Sequence, residues 1–341
     1  AHRYYGKVPT IDTSSRRLYH RCKRKWDWGS PLRQGLRAKK NGLPFVLGSL
    51  VHEALDAGYK RKPVDYGEMR SAYAELAEVQ LDHYRAVHKP WASEAEQFDA
   101  ALDLGRSMVA EYANWAPAQD DFEVLASEVE GLVPIFAPLP TDWNVTYVPD
   151  VIGLYYVRFD ALLRDNTGRV WIMEHKTCER WWTPTMLALD EQMSAYSWAC
   201  ERILAEANEG VRVAGVLANF LLKHAVKDPP LLKDGSPTTA LRRLAYTTAD
   251  RYAGWVDRPR SRAEADALFT LRERERTEGH PTLRRVRVER SRHQIDQQGE
   301  RILRDLLAMT APDPDTAPSA SFLCEGCVFK EHCVQAEAGD D

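Results

Sequence analysis

Three cysteines crowd into FLCEGCVFKEHCVQ at residues 321–334, where Cys324, Cys327 and Cys333 follow a CxxCx5C spacing. Thiolates at that spacing are soft ligands, suited to zinc or to iron and sulfide, and three of them are one short of a tetrahedral set. His332 in the same stretch is a further zinc ligand type. A second chemistry-bearing group lies mid-chain in RVWIMEHKT, where Glu174 and Lys176 flank His175. Side chains alternate along a strand, so Glu174 and Lys176 share one side while Trp171, Met173 and His175 share the other. Both sides are otherwise apolar, as in a central strand. An acid and an amine in such a strand are costly unless they meet a metal, a phosphate or each other. An isolated pair of this kind also serves as an ion pair at a strand end.

The preceding hairpin strand adds Asp160 within the apolar run VRFDALL. An Asp and a Glu on adjacent antiparallel strands can converge on one point and bind Mg2+ or Mn2+ through oxygen. Lys176 would then orient or help deprotonate the attacking water and offset charge on the pentavalent phosphate.

The elements that must position these groups follow from the pattern. Residues 13–28, TSSRRLYHRCKRKWDW, read as a capped basic helix with Cys22 in its middle. FVLGSLVHEALDAGYK places Leu47, Leu50, Val51, Ala54 and Leu55 on one helical face, with Gly48 and His52 one turn apart on its flank. Residues 66–116 read as two helices broken near Lys89-Pro90-Trp91. From Phe122 the runs FEVLASEVEGLVPIF, YYVRFDALL and RVWIMEHKT form a meander, the last two joined through Asp165-Asn166-Thr167-Gly168. A helix over 185–206 and a strand over VRVAGVLANFLL complete a mixed α/β sheet flanked by helices. Further on come a helix near 261–277, a basic run RRVRVERSR at 284–292, a helix ending near Met309 and the linker APDPDTAPSA. The chain thus divides into a helical region 1–120, a core 121–225, a mixed region 226–310, and a linker with the cysteine cluster at 311–341.

Four motifs in order carry a resemblance. GSLVH (Gly48, His52), Asp160, Glu174-His175-Lys176 and QMSAY (Gln192, Tyr196) together resemble the PD-(D/E)XK nucleases of the RecB type. The usual glycine three residues before the motif Asp is Val157 here. The resemblance implies a restriction-endonuclease-like core and phosphodiester hydrolysis in DNA. It implies His52 as a metal ligand beside Asp160, Glu174 and the His175 backbone carbonyl, and it sets Gln192 and Tyr196 near the DNA. A subset of that branch, the AddB-like subunits and CRISPR-associated exonucleases, holds a 4Fe-4S cluster on one cysteine before the core and three after it. Cys22 precedes GSLVH here, so Cys22, Cys324, Cys327 and Cys333 are expected to form that site, with Zn2+ as the alternative. Cys178 and Cys200 read as small buried hydrophobes. The resemblance favours an exonuclease on single strands, acting in DNA recombination, repair or phage- or CRISPR-related processing. The alternative is a non-catalytic DNA-binding or scaffolding subunit of a helicase-nuclease or recombination complex.

Composition is consistent with this reading. The formal charge of −4 argues against a protein that coats nucleic acid by bulk charge but leaves room for local basic patches. Arg21, Lys23, Arg24 and Lys25 near Cys22, with Arg284 and Arg285, are the expected DNA contacts, and a solvated charged face is the other reading of the N-terminal four. Tyr19, Trp26 and Trp28 either stack on unpaired bases or pack into the core. Clustered CxxC spacing among six cysteines suggests metal ligation rather than a disulfide scaffold. No signal-peptide or membrane-spanning run is evident, so a cytoplasmic protein, bacterial, archaeal or phage-encoded, is expected. No GxxxxGK[ST] pattern occurs, so any helicase motor must be a separate partner.

Overall fold

A computed structural model of the chain describes residues 8–36, 43–88, 92–138, 150–207, 211–256 and 261–339. In chain order these contain β1 (Thr10–Ile11), α1 (Thr13–Arg21), α2 (Lys23–Gly29), α3 (Leu43–Tyr59), α4 (Tyr66–His88) and α5 (Ala92–Trp115). Next come β2 (Phe122–Phe136), β3 (Val151–Asp165), β4 (Val170–Cys178), α6 (Pro184–Leu189), α7 (Glu191–Ala207) and β5 (Val213–Leu222). The last are α8 (Ala249–Trp255), α9 (Arg262–Glu278), β6 (Leu283–Glu289), α10 (Arg292–Met309) and α11 (Lys330–Ala338). The predicted break at Lys89-Pro90-Trp91 lies outside the described residues.

The protein is a mixed α/β structure built on one six-stranded sheet in the order β1-β3-β4-β5-β6, with β2 also on β3. β4 and β5 are parallel, as are β1 and β3, and the other pairs are antiparallel. β4 is central, as its apolar faces require. Strands come from outside 121–225 too: β1 precedes that stretch and β6 follows it.

Alternating side chains give the sheet two cores. On one face Trp171, Met173, Leu217 and Leu221 pack with Leu50, Val51, Leu55 and Tyr112 of α3 and α5. On the other, Ile172, Val216, Ala218 and Phe220 pack with Met193, Ala199, Ile295 and Ile302 of α7 and α10. A small third core joins α8 to α9 through Tyr252 and Leu271. Among the described residues no helix is long and apolar enough to cross a membrane.

Local rules account for three departures from the sequence reading. The basic helix over 13–28 is two helices, because Cys22 takes an extended backbone (φ −162°, ψ 110°) and caps α2, its Sγ accepting the Lys25 N–H at 3.5 Å. The helix over 185–206 is also two, α6 and α7, divided at Asp190, whose Oδ1 accepts the Met193 N–H at 2.9 Å. The basic run from 284 is largely strand β6, paired antiparallel with β5.

Gly215 sits where the β4–β5 register shifts, with φ 153° and a virtual Cβ only 2.2 Å from the Val288 carbonyl oxygen of β6. Gly215→Ala should therefore lower stability by about 2–4 kcal/mol through backbone strain and overpacking. A denaturant titration reads this as a shifted midpoint, and an unchanged midpoint would refute it.

Candidate active site

The site originates where two strands part. The β3–β4 ladder runs from Arg164↔Val170 to Ala161↔Met173 and stops. The next pair would set Asp160 against Glu174. Instead, Asp160 Oδ2 itself accepts the His175 N–H at 2.5 Å, replacing the missing ladder bond with a charge-assisted one. The same edge of β3 is taken up again only at Leu154 and Tyr155, by β1. Between these contacts a cavity of about 580 Å3 opens, bordered by His52, Asp160, Glu174, Tyr196 and Lys223.

α3 and α7 deliver the rest. His52 Nδ1 lies 3.4 Å from Asp160 Oδ1. Gly48, one turn earlier, lets α3 approach β4, since a Cβ there would stand 3.2 Å from Thr177 Oγ1. Lys176 Nζ donates to Glu174 Oε1 at 2.5 Å and to Gln192 Oε1 at 2.8 Å. Gln192 Nε2 lies 2.8 Å from both Glu174 Oε1 and the Tyr196 hydroxyl. Thus the six residues singled out as His52, Asp160, Glu174, Lys176, Gln192 and Tyr196 fall in one connected cluster. Gln192 touches the Glu174–Lys176 pair directly, and Tyr196 reaches it through Gln192. Arg17 of α1 also reaches Gln192 Oε1, at 3.2 Å, a contact the sequence reading did not foresee.

Burial sets the charges. It opposes ionisation of Asp160, yet the His52 imidazole and the His175 N–H outweigh it and hold the carboxyl well below its usual range. Burial holds Glu174 above its usual range despite the Lys176 ammonium. Burial also works against a charged His52, but the Asp160 carboxylate overcomes it and raises that imidazole. The result is a partly buried acid pair with one nearby ammonium.

Among the described residues no three His, Cys, Asp or Glu side chains converge closely enough to hold a metal ion as they stand. At the strand gap the reason is visible: a Glu174 oxygen is engaged by Lys176 and Gln192. The donor chemistry nevertheless fits a hard divalent cation, with two carboxylates, one buried and one partly buried, and an imidazole facing one cavity.

A second layer holds His175. Its ring stacks on Tyr59 (centroids 5.8 Å apart, 27° between planes) and meets His52 and Tyr112 edge-on. Burial lowers its pKa to about 3, so it is neutral. Asn219 Nδ2 lies 3.4 Å from His175 Nδ1 and donates to the Tyr112 hydroxyl at 2.8 Å. Arg285 Nε donates to Asn219 Oδ1 at 2.6 Å and pairs with Asp120 at 2.7 Å, both side chains under 10% exposed (9% and 6%). Arg285, expected as a DNA contact, serves here as an internal strut between Asn219 and Asp120. An Asn inside the apolar run VLANFLL was the available signal for this layer.

The other predicted contacts fare differently. Arg284 lies over Trp181 at 4.5 Å. Arg21 is exposed at the end of α1, and Lys25 is partly buried. Lys23 pairs with Asp315, and Arg24 with Glu337. Tyr19 and Trp26 pack edge-to-face in the core, 5.0 Å apart, which decides against base stacking for them. Trp28 meets Phe329 edge-on at 5.5 Å, and Arg24 Nη1 lies 3.8 Å from Cys333 Sγ. The C-terminal cysteine segment is thus laid against α2, the helix that Cys22 caps. Cys22, Cys324, Cys327 and Cys333 are all free thiols of intermediate exposure, while Cys200 is buried.

A sequence model of the PD-(D/E)XK nuclease superfamily matches residues 13–334. A comparison with curated proteins finds no match.

Removing one member of a buried ion pair leaves its partner uncompensated. Arg285→Met should accordingly cost about 3–5 kcal/mol of stability, read by denaturant unfolding. A stable Arg285→Met protein with weakened DNA affinity would contradict its role as a strut.

Proposed function

Because the chain belongs to the PD-(D/E)XK nuclease superfamily, we propose that it is a metal-dependent deoxyribonuclease whose catalytic set is His52, Asp160, Glu174 and Lys176. The observation that carries the reading is the strand gap at Asp160. There two acids and an imidazole border one cavity, and a lysine bridged to Gln192 is bound to one of the acids. A binding module has no need of this combination.

Asp160, Glu174 and His52, with the His175 carbonyl as a further oxygen, would hold Mg2+ or Mn2+, which supplies polarisation of a phosphoryl oxygen and an acidified water. The protein's own groups do the rest. Lys176 takes its direction from Glu174 and Gln192, so its charge is aimed before charge develops on the phosphate. Gln192 fixes that direction from α7, and Tyr196, whose phenol burial keeps protonated, holds Gln192. In the hydrolysis one water adds to phosphorus, one P–O bond breaks, and the leaving oxygen takes up a proton.

The RecB-type assignment is supported by GSLVH and QMSAY converging on the same cavity. A 4Fe-4S cluster on Cys22, Cys324, Cys327 and Cys333 is supported by the packing of the last segment on α2. Such a clasp would link distant parts of the chain and so stabilise the fold by removing unfolded-state entropy. The preferred reaction is exonucleolytic cleavage of single strands, in recombination, repair or phage- or CRISPR-related DNA processing. A helicase or recombination protein is the class of partner that this reading implies.

Lys176→Ala should lower the rate of DNA hydrolysis with Mg2+ or Mn2+ by about 100-fold or more. Equal rates in both proteins would remove the catalytic assignment. Anaerobically purified protein should be brown and carry about four irons per chain; colourless protein with a single zinc would replace the cluster with a zinc site.

A further inference from the structure

A second cavity adjoins the first. It has a volume of about 750 Å3, lies between α3, α4 and the β2–β3 ribbon, and shares Glu53, Asp56, Glu128 and Arg158 with the cavity at the strand gap. The two spaces therefore meet along one wall. Arg158 is the cation of that wall, among Glu53, Asp56 and Glu128, and Lys60 borders the second cavity beyond it. Arg158 is two residues before Asp160 on β3, so it lies on the same face about 7 Å along the strand. Lys60 directly follows the last residue of α3, its N–H donating to the Asp56 carbonyl at 2.9 Å.

Both cations are held by the same acid. Glu128 accepts an ion pair from Arg158 and another from Lys60, the latter at 2.7 Å. Lys60 also reaches Asp56, at 2.5 Å. Glu128 lies at the β2 position facing Asp160, where no pair is formed between Ser127↔Ala161 and Val129↔Phe159, and its backbone is left-handed at φ 45°. The side chains of Arg158 and Lys60 are each 50% exposed. Ion pairs that open to solvent contribute little and exchange readily. A phosphate offers the same cations a better acceptor, bidentate for the guanidinium.

We propose that Arg158 and Lys60 form a phosphate-binding subsite for the nucleotide next to the scissile one, with Glu128 as the counter-ion displaced when the strand enters. The ligand is one strand of nucleic acid running from the strand gap past Arg158 to Lys60, short of the acids Glu68 and Glu75 that line the rest of the second cavity. This deepens the nuclease reading and rests on it. The acid is a competitor for the cations and not a ligand of the strand. Its removal and theirs should therefore act with opposite sign, which a purely structural network cannot produce.

The test is fluorescence anisotropy of a labelled oligodeoxythymidylate titrated with the full chain carrying Lys176→Ala, in Ca2+ to prevent turnover. In that background, Arg158→Gln and Lys60→Gln should each weaken binding by about tenfold and reduce the logarithmic salt slope by roughly 0.7. Glu128→Gln should tighten binding by about threefold or more, since it removes the acid that both cations share. Arg158→Lys, which keeps the charge, should recover most of the loss and exclude misfolding as its cause. Unchanged affinity in the glutamine variants, or weaker binding in Glu128→Gln, overturns the subsite and leaves the nuclease reading in place. A parent protein that binds no oligonucleotide overturns both.

Discussion

The structure depends on one substitution of hydrogen-bond partners: at Asp160 the β3–β4 ladder gives way, and a carboxylate oxygen takes the N–H that a strand carbonyl would have taken. A backbone donor inside a sheet cannot be left unpaired, so strands normally separate only at their ends. Here the separation happens in mid-sheet because a side chain supplies the acceptor. The same bond fixes the direction of Asp160 beside the gap that Glu174 borders and to which Lys176 is linked through Glu174.

Keeping such a gap open in a buried sheet requires support from both faces. On the α3–α5 face His175 is clamped between His52 and the tyrosines Tyr59 and Tyr112, and behind them Asn219, Arg285 and Asp120 close a hydrogen-bonded layer. A fully satisfied buried network rigidifies its surroundings, while one missing member leaves a desolvated charge. On the α7 face Gln192 spans Glu174 and Lys176, and Arg17 of α1 supports it. Arg16 beside it is almost completely buried against Asp305 and Glu191. α1 therefore ties α7 and α10 to the helix pair that Cys22 joins. That gives the proposed C-terminal clasp a physical route to the active site.

Much of this was legible in the sequence, for reasons particular residues make clear. The meander, the central strand and the convergence of Asp160 with Glu174 follow from period-two alternation and hairpin chemistry. The grouping of the six candidate residues was legible because each sits at a fixed offset on its own helix or strand. The internal ion pair of Arg285 was not legible because a basic run in sequence suggests a surface, and only pairing with β5 brings it to Asp120. The alternation Arg285-Val286-Arg287-Val288 was the strand signal within it. β1 is two residues long and leaves no periodicity to detect. Val157, where a glycine was expected, is accommodated by Gly131 across the ladder, beside which Ile203 of α7 packs. Which strand carries the small residue is decided by pairing, and a single sequence does not display pairing.

The central claim is that the parted strands form a cation site on Asp160 and Glu174. Calorimetric titration of Mn2+ into the wild-type chain and into Asp160→Asn addresses it without recourse to DNA or turnover. Saturable binding to the wild type is expected, weakened about tenfold or more by the substitution, with the thermal transition of the metal-free proteins little changed. Equal Mn2+ affinity in the two proteins would contradict it.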